Sequence, residues 1–517
     1  MEGIWYLLCK YFYLIRSMLR KIRIAIALFF FLAITLLFLD FTGTVHTYLG
    51  WTAKMQFVPA YLAMNFVILL LVLATLLFGR IYCSIICPLG IFQDIVLRLT
   101  KKKNRYSYRP PRKALIILRY ALLAVFILSV SSGIANGIVG LLDPYSAFAR
   151  MVSQILGPAY KYANNLLAYF AVRADSYAFY SVDIWLKGTG VLVVAILTFV
   201  AVGVCAWKSG RGYCNTICPV GAVLSLAAKY SLIKPRLNAS KCSLCGLCAK
   251  NCKSSCIDIV IGKIDHFRCV ACFNCMSICP KNAIEYTLPL KPKVPFENKI
   301  KQIEQESLSE KGLSKRNLLS GSALAVLGSA VELRAHRPAA DGGLANLIDK
   351  KASKRAKPII PPGSGSFRNF HDRCTGCQLC VSVCPNNVLR PGFLKPNMSY
   401  ERGYCRPECV KCSQVCPTGA IRQVTTAEKS SIQIGCAVWR QDLCIVSVDK
   451  VNCGNCARHC PTSAISLIPQ NADDPASLQI PMIDTDRCIG CGACENLCPA
   501  RPYSAIHVEG IEVHRDI

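Results

Sequence analysis

The spacing of the cysteines constrains this chain more than any other feature. Of the 32 cysteines in 517 residues, 24 fall into six groups of four. Cys242, Cys245, Cys248 and Cys252 follow C-x2-C-x2-C-x3-C, and Cys269, Cys272, Cys275 and Cys279 repeat that run. The other groups are Cys374, Cys377, Cys380 and Cys384; Cys405, Cys409, Cys412 and Cys416; Cys444, Cys453, Cys456 and Cys460; and Cys488, Cys491, Cys494 and Cys498. These four end in Cys-Pro, at Pro385, Pro417, Pro461 and Pro499. In such runs three closely spaced thiolates hold one four-iron cluster, and the fourth reaches a neighbouring one. The middle pair therefore predicts the ligand sets Cys242, Cys245, Cys248 with Cys279, and Cys269, Cys272, Cys275 with Cys252. Lys253 stands where a proline is usual and Cys256 lies four residues on, so Cys252 and Cys256 both qualify as the last ligand. Zinc takes paired C-x2-C units and needs neither the triple run nor the proline. Disulfides, the other fate of cysteines in an exported domain, do not call for so regular a spacing. The pattern predicts six [4Fe-4S] clusters.

A second constellation lies upstream. Gly79-Arg80-Ile81-Tyr82-Cys83-x3-Cys87-Pro88-Leu89-Gly90 recurs as Gly210-Arg211-Gly212-Tyr213-Cys214-x3-Cys218-Pro219-Val220-Gly221. Cys83, Cys87, Cys214 and Cys218 read as a further metal or redox site, with Arg80 and Arg211 as positive charge beside it. A structural repeat that binds nothing is the other reading. Cys205 is close enough in sequence to serve as an extra ligand.

The first part of the chain is apolar enough for a membrane. Segments 24–39, 55–79, 120–142 and 188–207 carry no charge, and a spanning helix needs about 20 such residues to cross about 30 Å. Lys and Arg gather at the N-terminal flank and in the second loop, which holds Lys101, Lys102 and Lys103. That bias puts the N-terminus, the second loop and the residues after Trp207 in the cytoplasm, and the first and third loops outside. The aromatic-rich segment 160–185 suits the outer membrane–water boundary. The formal charge of +30 does not call for nucleic acid. Much of it flanks apolar spans, and six oxidised clusters at about −2 each would reduce it to roughly +18. Anionic headgroups account for the remainder.

After the middle domain comes a polar linker, then Lys315-Arg316 and an apolar stretch, 318–331. Fourteen residues span only about 21 Å as a helix. The pair and the stretch read as a variant of the twin-arginine export signal. The expected organisation is a transmembrane domain over 1–233, a two-cluster domain over 234–290, a linker with the signal and a short apolar helix over 291–366, and a four-cluster domain over 367–517. The fold class is thus a membrane α-helical domain of four spans plus a short fifth, with two α+β ferredoxin-like iron–sulfur domains. Motifs for c-type haem, paired haem histidines, glycine-rich nucleotide loops and P-loops are absent.

The membrane half resembles the NapH family of membrane ferredoxins, related to the NosR type, through the twin motifs at 79–88 and 210–219, the four helices and the trailing two-cluster domain. Leu141-Leu142-Asp143-Pro144-Tyr145-Ser146 is similar to that family's outer-loop motif. The C-terminal half resembles the NapG/MauM ferredoxins, with four clusters and a twin-arginine signal. Together they look like a five-helix polyferredoxin in one chain. The resemblance implies quinol oxidation, or uptake from a cytoplasmic donor, and delivery of electrons to an exported oxidoreductase, often a molybdoenzyme. It places residues 340–517 outside the cytoplasmic membrane and 234–290 inside. It also implies that Cys374, Cys377 and Cys380 join Cys498; Cys488, Cys491 and Cys494 join Cys384; Cys405, Cys409 and Cys412 join Cys460; and Cys444, Cys453 and Cys456 join Cys416. The expected partners are the membrane, the quinone pool and that oxidoreductase, with no nucleic acid. Asp143 and His46 are candidates for a quinol site, against a helix cap and an interfacial histidine as their plainer roles. A maturation or regulatory role for a metalloenzyme is the alternative. About 30 Å of bilayer separates the inner-edge cysteines from exported clusters, a gap that has to be bridged.

Overall fold

The computed structural model describes residues 2–100, 108, 113–132, 136–182, 184, 188–259, 261–288, 348–392, 395–471, 473–475 and 477–517. The Lys315-Arg316 pair and the stretch 318–331 lie outside these. The membrane half is built from α1 (Glu2–Leu39), three short helices α2 (Thr44–Leu49), α3 (Trp51–Lys54) and α4 (Phe57–Leu62), then α5 (Val67–Phe78), α6 (Tyr82–Ile85) and α7 (Pro88–Leu99). It continues with α8 (Lys113–Ser132), α9 (Asn136–Leu142), α10 (Pro144–Met151), α11 (Gly157–Arg173), α12 (Thr189–Ser209), α13 (Gly212–Thr216) and α14 (Pro219–Lys229). Among the described residues, three helices are long and apolar enough to cross a membrane, over Met18–Leu39, Lys113–Ser131 and Thr189–Ser209.

Two of the expected spans differ. Segment 55–79 is not one helix: α4 ends, Met64 takes φ +50°, and α5 has only 12 residues, about 18 Å. The cause is the pull of the core on the chain before it. Tyr82 Oη donates to Gln56 Oε1 at 3.1 Å and accepts from Phe57 N at 3.1 Å. Trp51 packs against Phe29 and Phe30, with centroids at 6.3 and 5.9 Å, so the chain doubles back along α1. The segment expected at 120–142 instead starts at Lys113, takes in Arg119 and ends at Ser132. Arg119 is tolerated because its guanidinium donates to the carbonyl of Gly221 at 2.9 Å and to Ser225.

Asp143 caps α10, its carboxylate accepting from the backbone of Tyr145 and Ser146 at 3.2 and 3.0 Å. Proline at the first helical position suits a helix start, where its missing N–H costs nothing. Every residue of α10 is buried. A π-helical turn, Val152–Leu156, joins it to α11, whose rings at Tyr162, Tyr169 and Phe170 are exposed.

The two cysteine-rich domains meet opposite ends of the apolar stretch Met18–Leu39 of α1. Arg20 Nη1 donates to Ser277 Oγ at 3.1 Å, and Lys411 Nζ to the Thr42 carbonyl at 2.8 Å. In the first domain, Lys234–Leu237 pairs antiparallel with Ile284–Thr287. In the second, Ile432–Trp439 pairs with Ile506–Asp516. Residues 348–366, expected as linker, pack on this domain. Ile359 and Ile360 are buried, Ile359 O accepts from Met398 N at 3.0 Å, and Lys350 Nζ donates to the carbonyls of Glu495, Asn496 and Cys498.

Candidate metal centres

Short helices and tight turns gather the cysteines. Six groups of thiols result. In set 1 the Cys248 thiol is pushed up to about 11 by burial, with Cys242, Cys279 and Cys245 as neighbours acting the same way. In set 2 one cavity is lined by Cys252, Cys256, Cys269, Cys272 and Cys275. Both candidates for the last ligand are therefore present. The Cys252 and Cys256 sulfurs are 3.3 Å apart, and the hydrogen bond from Cys256 holds the Cys252 thiol down at about 7. That makes Cys252 the better thiolate.

The C-terminal domain corrects the expected pairing. Burial, then Cys374, Cys377 and Cys416, raise the Cys380 thiol, so set 3 is Cys374, Cys377, Cys380 and Cys416. Cys384, Cys405, Cys409 and Cys412 line one cavity and form set 4. Cys460 and Cys488 neighbour Cys491, whose thiol is pushed to about 12, first by burial; with Cys494 they make set 5. Cys444, Cys453, Cys456 and Cys498 line another cavity and form set 6. Cys498 thus does not join Cys374, nor Cys384 join Cys488, nor Cys460 join Cys405, nor Cys416 join Cys444. The physical reason is that the domain is two modules with separate cores. One core holds Cys374, Cys380, Cys384, Cys405, Cys412 and Cys416, and the other Cys444, Cys453, Cys456, Cys460, Cys488, Cys494 and Cys498.

The residues fit iron–sulfur clusters. Oxidised four-iron clusters with four thiolates carry about −2, and buried or half-buried ammonium groups stand beside the sets. Lys253 neighbours Cys272, Lys395 neighbours Cys374, and Lys429 lies beside Cys405. Backbone N–H groups also point at sulfur, from Ala283 to Cys279 at 3.2 Å and from Ala464 to Cys460 at 3.2 Å. Such donors are among the groups that set cluster potentials. Bound clusters supply one-electron storage and transfer.

The twin motifs converge with near two-fold symmetry. Cys83, Cys87, Cys214 and Cys218 are all buried; Cys87 has the other three as electrostatic neighbours. Arg80 Nη2 lies 3.8 Å from Cys83 Sγ and donates to the carbonyl of Cys214 at 3.3 Å. Arg211 Nη1 lies 4.0 Å from Cys214 Sγ and donates to the carbonyl of Cys83 at 2.7 Å. Each arginine thus crosses to the other copy. The glycines of the motif allow this: a Cβ on Gly90 would meet Cys83 O at 2.4 Å, and one on Gly221 would meet Cys214 O at 2.3 Å. Cys205 is half-buried on α12.

Sequence reasoning missed the node that ties this site to the two-cluster domain. Asp94 on α7 pairs with Arg211 Nε at 2.9 Å, Lys253 Nζ at 2.9 Å and Arg23 Nη1 at 3.4 Å. Gln93 Nε2 donates to Cys214 Sγ at 3.2 Å. The available signal was the broken symmetry of the repeat: Gln93 and Asp94 in the first copy correspond to Leu224 and Ser225 in the second. Of the quinol candidates, Asp143 takes the helix-cap role described above. His46 Nδ1 lies 3.1 Å from Asp40 Oδ2.

These features define an iron–sulfur electron-transfer protein of ferredoxin type. Family descriptions agree: a 4Fe-4S binding domain matches residues 60–106 and 191–239, a 4Fe-4S dicluster domain 451–501 and a 4Fe-4S binding domain 370–390. The methylamine utilization ferredoxin-type protein MauM of Methylobacillus flagellatus is 32% identical over 163 residues, 29% of this chain and 68% of that protein. MauM of Paracoccus denitrificans is 32% identical over 166 residues, 30% of this chain and 73% of its own length. The ferredoxin-type protein NapF of Escherichia coli is 29% identical over 176 residues, 34% of this chain and 98% of NapF. The chain belongs to the MauM family of ferredoxin-type proteins. No solved structure matches it.

Proposed function

We propose that the chain is a membrane-bound conduit whose six sets each hold a [4Fe-4S] cluster, carrying electrons from quinol, or from a cytoplasmic donor, to an exported oxidoreductase of the molybdoenzyme class. One observation carries this reading: within each cysteine-rich domain the sets follow one another in contact. Cys248 of set 1 neighbours Cys275 of set 2, and Cys412 of set 4 neighbours Cys380 of set 3. Cys405 of set 4 donates its N–H to Cys491 O of set 5 at 2.9 Å. Cys456 of set 6 neighbours Cys494 of set 5. An enzyme that transforms a substrate on one cluster has no use for such a series, whereas throughput of single electrons does.

A quinol site is supported by an open cleft beside set 3. Its apolar wall includes Phe38, Leu39 and Val381, and its polar groups include Gln154 and Gln378, joined by a 2.8 Å hydrogen bond. In this reading residues 234–290 stay cytoplasmic and 340–517 are exported, at opposite ends of the stretch Met18–Leu39. The test is to add a reduced short-chain quinol to anaerobic, detergent-solubilised protein. Loss of cluster absorbance supports the reading; bleaching by dithionite but not by quinol leaves the cytoplasmic donor as the source. Cysteine labelling on intact and opened cells checks the sides.

A further inference from the structure

Two polar side chains on α10 are buried without the partners that their chemistry calls for. Tyr145 is 1% exposed, and its hydroxyl has no hydrogen-bond partner among the described residues. Tyr82 lies in the same apolar core and has both Gln56 and Phe57 as partners, so an orphaned hydroxyl is not the rule there. Arg150 is 5% exposed, and its Nε and Nη2 likewise find no partner among the described residues. A buried hydroxyl left unpaired costs free energy, so an acceptor is called for. Asp143 does not serve. Its carboxylate accepts from Tyr145 N, Ser146 N and Ser146 Oγ, and Tyr145 Oη makes no bond to it.

These groups sit at the seam between the membrane half and set 3. Cys377 packs against the core that holds Tyr145, and Cys377 and Cys416 are the cysteines beside the Tyr145 hydroxyl. Arg150 has Asp143, Tyr213 and Cys377 around it. The seam is closely fitted. A Cβ on Gly140, in α9, would meet the Thr375 carbonyl oxygen at 2.2 Å, and Gln154 Nε2 donates to Gln378 Oε1 at 2.8 Å. Thr375 and Gln378 both lie in the run that carries Cys374, Cys377 and Cys380. Phe38 of α1 packs on the Tyr145 ring, with centroids 5.7 Å apart, so the phenol is held in place from the side of the membrane helix.

We propose that the Tyr145 hydroxyl donates a hydrogen bond across this seam to a sulfur of the cluster held by Cys374, Cys377, Cys380 and Cys416, and thereby raises the reduction potential of that cluster. The proposal deepens the conduit reading and rests on set 3 holding a cluster. An added electron makes the cluster sulfurs more negative and a hydrogen bond to them stronger, so the reduced form gains more than the oxidised one. Arg150 acts in the same direction and offsets the Asp143 carboxylate, which also neighbours Cys377. Lys395 is the cation on the far side, beside Cys374. No covalent bond forms or breaks, and the proton stays on the phenol. Docking on the membrane half is thus what sets this potential. The cleft lined by Phe38, Gln154 and Gln378 opens beside the same set, so the cluster that is raised is the one placed to take electrons from quinol.

The test uses the full chain, purified anaerobically. Iron and the redox titration of EPR signals are measured for the parent, Tyr145→Phe and Arg150→Gln, with Cys416→Ser to assign the signal of set 3. Tyr145→Phe keeps the ring on Phe38 and removes only the hydroxyl. It is expected to keep its iron while the set 3 signal alone moves to lower potential, by about tenfold in the one-electron equilibrium, or about 59 mV. Arg150→Gln is expected to lower the same signal. Pulsed EPR in deuterated buffer is expected to show an exchangeable proton coupled to that cluster in the parent and to lose it in Tyr145→Phe; this arm stands even where Cys416→Ser does not fold. Unchanged potentials in Tyr145→Phe, a shift confined to another signal, or loss of iron with the remaining potentials unmoved overturns the proposal and leaves the six-cluster reading intact. Iron far below about 24 in the parent overturns that reading instead.

Discussion

Asp94→Asn probes the joint between the membrane half and the two-cluster domain. The substitution keeps the shape of the side chain and one acceptor oxygen, but removes the carboxylate that, among the described residues, pairs with Arg211, Lys253 and Arg23, at 2.9, 2.9 and 3.4 Å. Burial alone would raise the Asp94 carboxyl, yet Arg211 and Lys253 offset this and hold it well below the usual carboxylate range. The group is therefore ionised at neutral pH, and its loss leaves three buried cations without it. Breaking one buried pair from one side costs about 3–5 kcal/mol. At roughly 2–4 °C per kcal/mol for a unit of this size, unfolding moves down by about 10 °C. The assay is thermal unfolding in detergent, followed by near-ultraviolet circular dichroism and by visible cluster absorbance. Adding Lys253→Met to the variant removes one of the stranded cations and is expected to recover part of the loss. A shift under about 3 °C for Asp94→Asn, or a double variant that is worse by the sum of the singles, would refute the charge-node account.

Other outcomes follow from the same geometry. Cys384→Ser is expected to strip the cluster held with Cys405, Cys409 and Cys412 and to spare that of Cys488, Cys491 and Cys494, which EPR of the reduced variants distinguishes. Cys416→Ser likewise affects the Cys374 set and not the Cys444 set. Gly492 takes φ +78°, and a Cβ there would meet the Tyr400 ring at 2.3 Å. Gly492→Ala is expected to lose about 2–4 kcal/mol, from backbone strain and overpacking together, read by chemical unfolding of the apoprotein and holoprotein. His514 is half-buried, and burial lowers its imidazole from 6.5 to about 4. The unfolded chain therefore binds the extra proton between pH 4 and 6.5, so this group's contribution is full above pH 6.5 and is lost as pH falls through about 4. His514→Gln should remove on the order of 2 kcal/mol of that acid sensitivity, measured as a smaller fall in stability between pH 6.5 and 4.

The six cysteine groups were legible because ligand spacing is a local property: a turn and a short helix place three sulfurs with little help from the rest of the fold. In the C-terminal domain, which distant fourth cysteine completes each set was not. That depends on how modules close their cores, and the split between the Phe370–Tyr400 core and the Ala437–Ile506 core leaves no mark on spacing. Apolar segments were readable as membrane-compatible, but a charge-free count cannot see Tyr82 drawing Gln56 and Phe57 inward, nor a carbonyl of Gly221 that makes Arg119 acceptable inside a helix. The repeat around Cys83 and Cys214 was visible; the crossing of its arginines and the role of Asp94 required three dimensions. Residues 348–366 read as linker from their Pro, Gly and Ser content, while Ile359 and Ile360 carried the opposite message.

Iron and acid-labile sulfide, counted per chain in protein isolated without oxygen, test the central claim most directly. The account predicts a brown protein with at least about 24 irons and equal sulfide. A colourless protein with a few irons or fewer, its cysteines occupied by zinc or joined as disulfides, would contradict it.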